Sequence, residues 1–118
     1  MIPIKKEYSI KNSQEIEAII KNRNSVGNKY FVIYKMENKD VNHFRFSISI
    51  GKKYGIAVYR NKMKRRIREI IRNHIDLIQN LDYVFVIKPL AKELEFNEIE
   101  KQIIYLLKKE ESKWRKNM

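Results

Sequence analysis

The stretch from 52 to 72, KKYGIAVYRNKMKRRIREIIR, holds nine lysines and arginines (Lys52, Lys53, Arg60, Lys62, Lys64, Arg65, Arg66, Arg68, Arg72) against one acid, Glu69. That is a formal +8 of the chain's +12. Unpaired cations resist burial. Yet Met63, Ile67, Ile70, Ile71, His74 and Leu77/Ile78 recur there at three- and four-residue steps, the period of one apolar helix face. The pattern predicts a helix over about 60–78 that lies on the outside of the molecule, its aliphatic stripe inward. At about 100° per residue, Asn61, Lys64, Arg65, Arg68 and Arg72 share one window on another side.

The rest of the chain supplies what such a helix packs on. FRFSISIG (44–51) alternates, with Phe44, Phe46, Ile48 and Ile50 on one side and Arg45, Ser47 and Ser49 on the other, which predicts a strand with one polar face of small serines. YFVIYKM (30–36) reads as a strand with Tyr30, Val32, Tyr34 and Met36 on one face and Phe31 and Ile33 on the other, and YVFVIK (83–88) as a buried strand closed by Pro89. In KNSQEIEAIIK, Asn12 and Glu15 have capping-box spacing, and Ile16, Ile19 and Ile20 form one face. NRNSVGN (22–28) is turn chemistry. Asn97 with Glu100 starts a last helix that turns Ile99, Ile103, Leu106 and Leu107 inward. The order helix, strands, helix, strand, helix predicts an α+β two-layer sandwich. At 118 residues the chain has room for one domain, 1–118, with a core over about 8–110 and a basic tail at 111–118.

The clustered charge points to a polyanion. Like charges stacked at 61–72 repel by a few tenths of a kcal/mol per pair, a cost that a polyanion relieves and a merely solvated face does not. A membrane surface fits less well, because the helix's apolar face is aliphatic and committed to the core. Arginine forks bind phosphate in a bidentate way and stack on bases, which favours structured RNA. With no cysteine, disulfides, thiolate nucleophiles and zinc–thiolate sites are excluded. No apolar run nears the roughly 20 residues of a membrane helix, and MIPIKKEYSI lacks a signal-peptide core; a cytoplasmic location is the expectation. His43, His74, Asp40, Asp76 and Asp82 are scattered, and no glycine-rich phosphate loop is present. No set of residues here is spaced to activate water.

KKYGIAVYRNKMKRRIRE resembles the signature of the bacterial ribonuclease P protein subunit, in which Lys-Lys, Gly-x-Ala-Val and Arg-Asn-x-x-Lys-Arg-x-x-Arg follow one another. SVGNKYFVIY (25–34), RFSISI (45–50) and VIKPLAK (86–92) resemble its flanking strands. The resemblance implies a sandwich with a left-handed βαβ crossover, a fold type known from ribosomal proteins. It also implies that Arg60, Asn61, Lys64, Arg65 and Arg68, with Lys52 and Lys53 beside them, contact the catalytic RNA subunit. A cleft between the first helix and the sheet would take the 5′ leader of precursor tRNA, with Tyr34 and Ser49 in it. Ile16 and Ile20 stand where relatives often carry phenylalanine, and Ile56 where asparagine is common; for Ile16 and Ile20, leader contact and core packing both stay open. By the same resemblance the enzyme is the complex: the RNA subunit cleaves with magnesium, and the protein alone holds no catalytic residue, metal or cofactor. The partners implied are that RNA and precursor tRNA, with neither membrane nor DNA. The binding rivals are a helix-turn-helix DNA binder, which the strand before the basic helix disfavours, and a ribosomal or other structured-RNA-binding protein.

Overall fold

Residues 6–116 are described here by a computed structural model. The helix α1 (Ser13–Lys21) starts where the sequence predicts, with Asn12 Oδ1 accepting from the backbone N–H of Gln14 (2.8 Å) and Glu15 (3.3 Å). The box closes on one side only, because the Glu15 carboxylate accepts from Arg45 Nη2 (2.8 Å), a charged partner stronger than a backbone amide. The segment 22–28 is more than a turn. Ser25–Gly27 forms a short strand β1, antiparallel to β2 (Phe31–Met36). Gly27 is needed there, since a Cβ would sit 2.9 Å from both Phe31 O and Val32 Cγ2. Asn28 closes the hairpin, its Oδ1 accepting from Tyr30 and Phe31 N–H.

β3 (Arg45–Ile50) and β4 (Asp82–Ile87) complete a sheet of order β1-β2-β4-β3, in which β2 and β4 are antiparallel and β3 and β4 parallel. Parallel neighbours require a crossover. Here it is α2 (Ala57–Asn73), the cationic segment. Central β4 is covered on both faces, which is why its apolar run shows no alternation.

Phe31, Ile33, Phe85 and Ile87 meet Met63, Ile67, Ile70 and Ile71 of α2 and Ile99, Ile103, Leu106 and Leu107 of α3 (Phe96–Lys116) in the main core. This is the expected sheet-and-helix sandwich. On the opposite face, α1 packs Ile19 onto Val84 in a smaller cluster with Ile10.

Two helix boundaries differ from the sequence reading. The expected helix 60–78 is α2 from Ala57 to Asn73, followed by a separate 3-10 turn, Ile75–Leu77. Its first turn was invisible to apolar periodicity because Val58 and Tyr59 point outward, at 68% and 60% exposure. α3 starts at Phe96, with the Glu95 carbonyl accepting from Glu98 and Ile99 N–H and Glu98 Oε1 accepting from Glu95 N–H; Asn97 is already inside it. The tail's side chains at 111–118, Trp114 included, lie outside the described residues. Among the described residues no helix is long and apolar enough to cross a membrane.

Candidate nucleic-acid interface

The approach to α2 is set by Gly55. Its φ of 153° and ψ of −173° fall in a region open essentially to glycine alone. The chain can therefore leave a 3-10 turn, Lys52–Tyr54, and enter the helix within two residues. Tyr54 is buried and anchors that turn, while Lys52 and Lys53 stay exposed. Arg60 reaches back, its Nε donating to the Gly55 carbonyl at 3.1 Å, so part of this guanidinium serves the turn itself.

Beyond Arg60 the helix divides as its two periods demand. Met63, Ile67, Ile70 and Ile71 are buried; Asn61, Arg65 and Arg68 are exposed and Lys64 half-buried. Lys52, Lys53, Lys64, Arg65 and Arg68 form no ion pair with the described residues. The first turn has neither an acid nor a side-chain cap, so its free amides add to the positive end of the helix dipole. All seven residues of the expected RNA-subunit set thus lie on one helix and the turn before it. What that surface can do is bind phosphates.

The second expected set meets on the other side of the sheet. The register places Gly27, Val32, Val86 and Ser49 in one cross-strand row, and Ser25, Tyr34, Val84 and Ser47 in the next. α1 covers the second row. Ile16, Ile20 and Tyr34 are half-buried against its cluster with Val86 and Met36. The first row is only partly covered: Val86 still touches that cluster and Val32 is half-buried, while Gly27 and Ser49 are exposed. Neither isoleucine is fully buried; Ile19, between them, takes that role at 0% exposure. The arrangement is a shallow trough with an aromatic and aliphatic wall and a floor of small residues. Val32 and Val86, in its first row, went unassigned in the sequence because nothing local distinguishes them from core valines.

At the end of that trough Asp82 and Glu15 converge on one arginine, Arg45. Asp82, 1% exposed, accepts from Arg45 Nε (3.0 Å) and Nη2 (2.7 Å) and from Asn38 Nδ2 (3.0 Å). The Asp82 hydrogen bonds hold the Arg45 guanidinium still more firmly protonated than usual, against the opposing effect of burial. Glu15, Glu37, Asp40 and Asp82 line a cavity of about 440 Å³ there. With Asp82 and Glu15 committed to Arg45, the donor set does not suit a divalent ion, and among the described residues no three His, Asp or Glu side chains form a metal-ligand group.

One further feature escaped the sequence. Tyr59, Lys62 and Arg66 lie on a third flank of α2 and, with Tyr54, Met63 and Lys92, line a separate pocket. The 59, 62, 66 spacing was a usable signal for a shared face. Lys92 comes from the turn after β4 and had none.

Fold and surface together define a small α+β protein whose crossover helix presents uncompensated cations to a polyanion. The family model for ribonuclease P matches residues 4–111. Ribonuclease P protein components from Streptococcus gordonii (40% identical over 105 residues, 89% of this chain and 87% of the relative) and Pediococcus pentosaceus (41% over 106 residues, 89% of each) are similar to it. The solved ribonuclease P proteins of Staphylococcus aureus (TM-score 0.81, 39% identity, 86% of this chain and 93% of that one) and Thermotoga maritima (TM-score 0.77, 30%, 86% and 96%) share the fold. A second S. aureus structure (TM-score 0.83, 39%, 87% of each chain) is a mutant with defective mRNA degradation activity. The chain belongs to the ribonuclease P protein family.

Proposed function

We propose that this chain is the protein subunit of a ribonuclease P ribonucleoprotein and assists endonucleolytic removal of the 5′ leader from precursor tRNA. Lys52, Lys53, Arg60, Asn61, Lys64, Arg65 and Arg68 dock on the RNA subunit. Tyr34 and Ser49, walled by Ile16 and Ile20, take the single-stranded leader. The observation that carries this reading is the unpaired cation face of α2 on a fold of this family. A face of exposed arginines without carboxylate partners suits phosphates and unpaired bases, and the trough opposite suits an extended strand stacking on an aromatic side chain. The two surfaces lie on opposite faces of the sheet, so one molecule can hold RNA subunit and substrate together. Cleavage and its magnesium belong to the RNA–protein complex, and the setting is cytoplasmic.

The test is reconstitution. Rigorously RNA-free protein, added to a bacterial ribonuclease P RNA at low magnesium, should restore cleavage of precursor tRNA at the mature 5′ end. Protein alone should cleave neither precursor tRNA nor an mRNA; the mRNA arm is included because of the S. aureus relative. Binding of the RNA without any stimulation of cleavage would leave a structured-RNA-binding protein of another kind.

A further inference from the structure

On the flank of α2 away from Asn61 and Arg68 lies a cavity of about 310 Å³, lined by Tyr54, Tyr59, Lys62, Met63, Arg66 and Lys92, and its Lys62 and Arg66 also border, with Arg65 and Glu69, the neighbouring groove. Its volume is at the lower end of the range for small-ligand sites, and its lining holds two phenol rings, three cations and no carboxylate. Tyr59, Lys62 and Arg66 follow at i, i+3 and i+7 and so face one way. Lys92 closes the opposite wall from the Pro89–Glu93 turn.

Within the fold these polar groups have little to do. Tyr59 is 60% exposed and adds nothing to the core. Tyr54 is only 7% exposed as a residue, and its hydroxyl, which makes no hydrogen bond with the described residues, is left open to an occupant of the pocket. Lys62, Arg66 and Lys92 form no ion pair among the described residues. An occupant with a flat π-face and a negative group would satisfy all five residues at once.

We propose that this pocket takes one unpaired nucleotide of the RNA subunit, its base against the Tyr59 and Tyr54 rings and its phosphate among Lys62, Arg66 and Lys92. The inference rests on the reading of the chain as an RNA-subunit binder. The nucleotide is unpaired because the pocket holds about 310 Å³, the scale of one base rather than a pair, and unstacked bases are what aromatic side chains hold in RNA. It belongs to the RNA subunit because the pocket shares α2 with the main docking face, whereas the trough proposed for the leader lies across the sheet. α2 is then gripped along two flanks, which fixes its rotation about its own axis as well as its position.

Full-length protein bound to a bacterial ribonuclease P RNA is probed by 2′-hydroxyl acylation, and its affinity is measured against salt. The variants are Tyr59→Leu and Arg66→Gln, both outside the buried core, with melting temperatures recorded. The expected result is that each variant melts like wild type and re-exposes the same single unpaired nucleotide while the rest of the footprint remains. Tyr59→Leu should weaken binding roughly 5- to 150-fold, the scale of one lost base–aromatic stack, with the salt slope unchanged. Arg66→Gln should lower that slope by about one. A wild-type footprint and affinity in both variants would overturn the proposal, as would footprint loss spread over all contacts or tracking a lowered melting temperature. No footprint from wild-type protein would instead refute the RNA-subunit reading itself.

Discussion

Arg65 and Arg68 offer the sharpest separation of binding from folding. Both are exposed on α2, point away from Ile67 and Ile71, and make no ion pair with the described residues. Their replacement by alanine removes no ion pair or hydrogen bond with the described residues and relieves like-charge repulsion along the helix, so the melting temperature should hold or rise slightly. In the complex each guanidinium can make a charge-assisted phosphate contact worth about 1.5–3 kcal/mol. That is a loss of roughly 10- to 150-fold in affinity for the RNA subunit. Each lost contact should also flatten the dependence of log K on log salt by about 0.7–0.9. Arg60→Ala is the informative contrast, because its Nε also donates to Gly55 O. It should lose affinity and some stability together, by about 1 kcal/mol for the hydrogen bond. The assay is filter binding or calorimetry at several salt concentrations beside thermal unfolding of the free protein. Unchanged affinity and salt slope for Arg65→Ala and Arg68→Ala, or a drop in melting temperature matching Arg60→Ala, would refute the assignment.

Tyr34→Ala should weaken binding of precursor tRNA by about 1–3 kcal/mol while mature tRNA, which has no leader to stack, binds as before; affinities for both substrates with the assembled holoenzyme check this, and equal losses would remove Tyr34 from the leader trough. Asp82→Ala should destabilise the fold by about 3 kcal/mol, read by denaturant unfolding. It strips a buried carboxylate from Arg45, and the effect stays at the low end because Glu15 remains on Nη2 at 2.8 Å. The Tyr54 phenol ionises above its usual 10.0 because burial disfavours phenolate, with the Arg66 charge opposing. Its folded value exceeds its unfolded one, so the stability it contributes is complete below about pH 10 and lost as pH rises through the folded value. Arg66→Gln should push that titration further up, as followed by NMR at high pH; a downward shift would show that Arg66 does not face Tyr54.

Most elements and the charge were legible from residue order alone, because both are local properties; the short strand β1, whose residues carry turn chemistry, was not. Three- and four-residue spacing from Met63 to Ile71 needs no tertiary partner to mark an inward face, and alternation from Phe44 to Ile50 marks a strand in the same way. The Lys-Lys to Arg68 motif is contiguous, so the proposed RNA-subunit residues could be named together before any fold was known. Helix starts were less legible. Outward Val58 and Tyr59 hid the first turn of α2, and Glu95, a weak capping residue by type, began α3 ahead of Asn97. What depends on pairing distant segments was settled by the packed chain. The register of β4 with β3 sets Arg45 beside Asp82, and the register of β2 with β4 and β3 sets Tyr34 next to the Val32–Val86–Ser49 row. Lys92 joins Tyr59 and Arg66 through the turn after β4. Local periodicity names the face of each element; the partner that face meets is set by which arrangement buries the most apolar surface while pairing every strand's hydrogen bonds, a property of the whole chain.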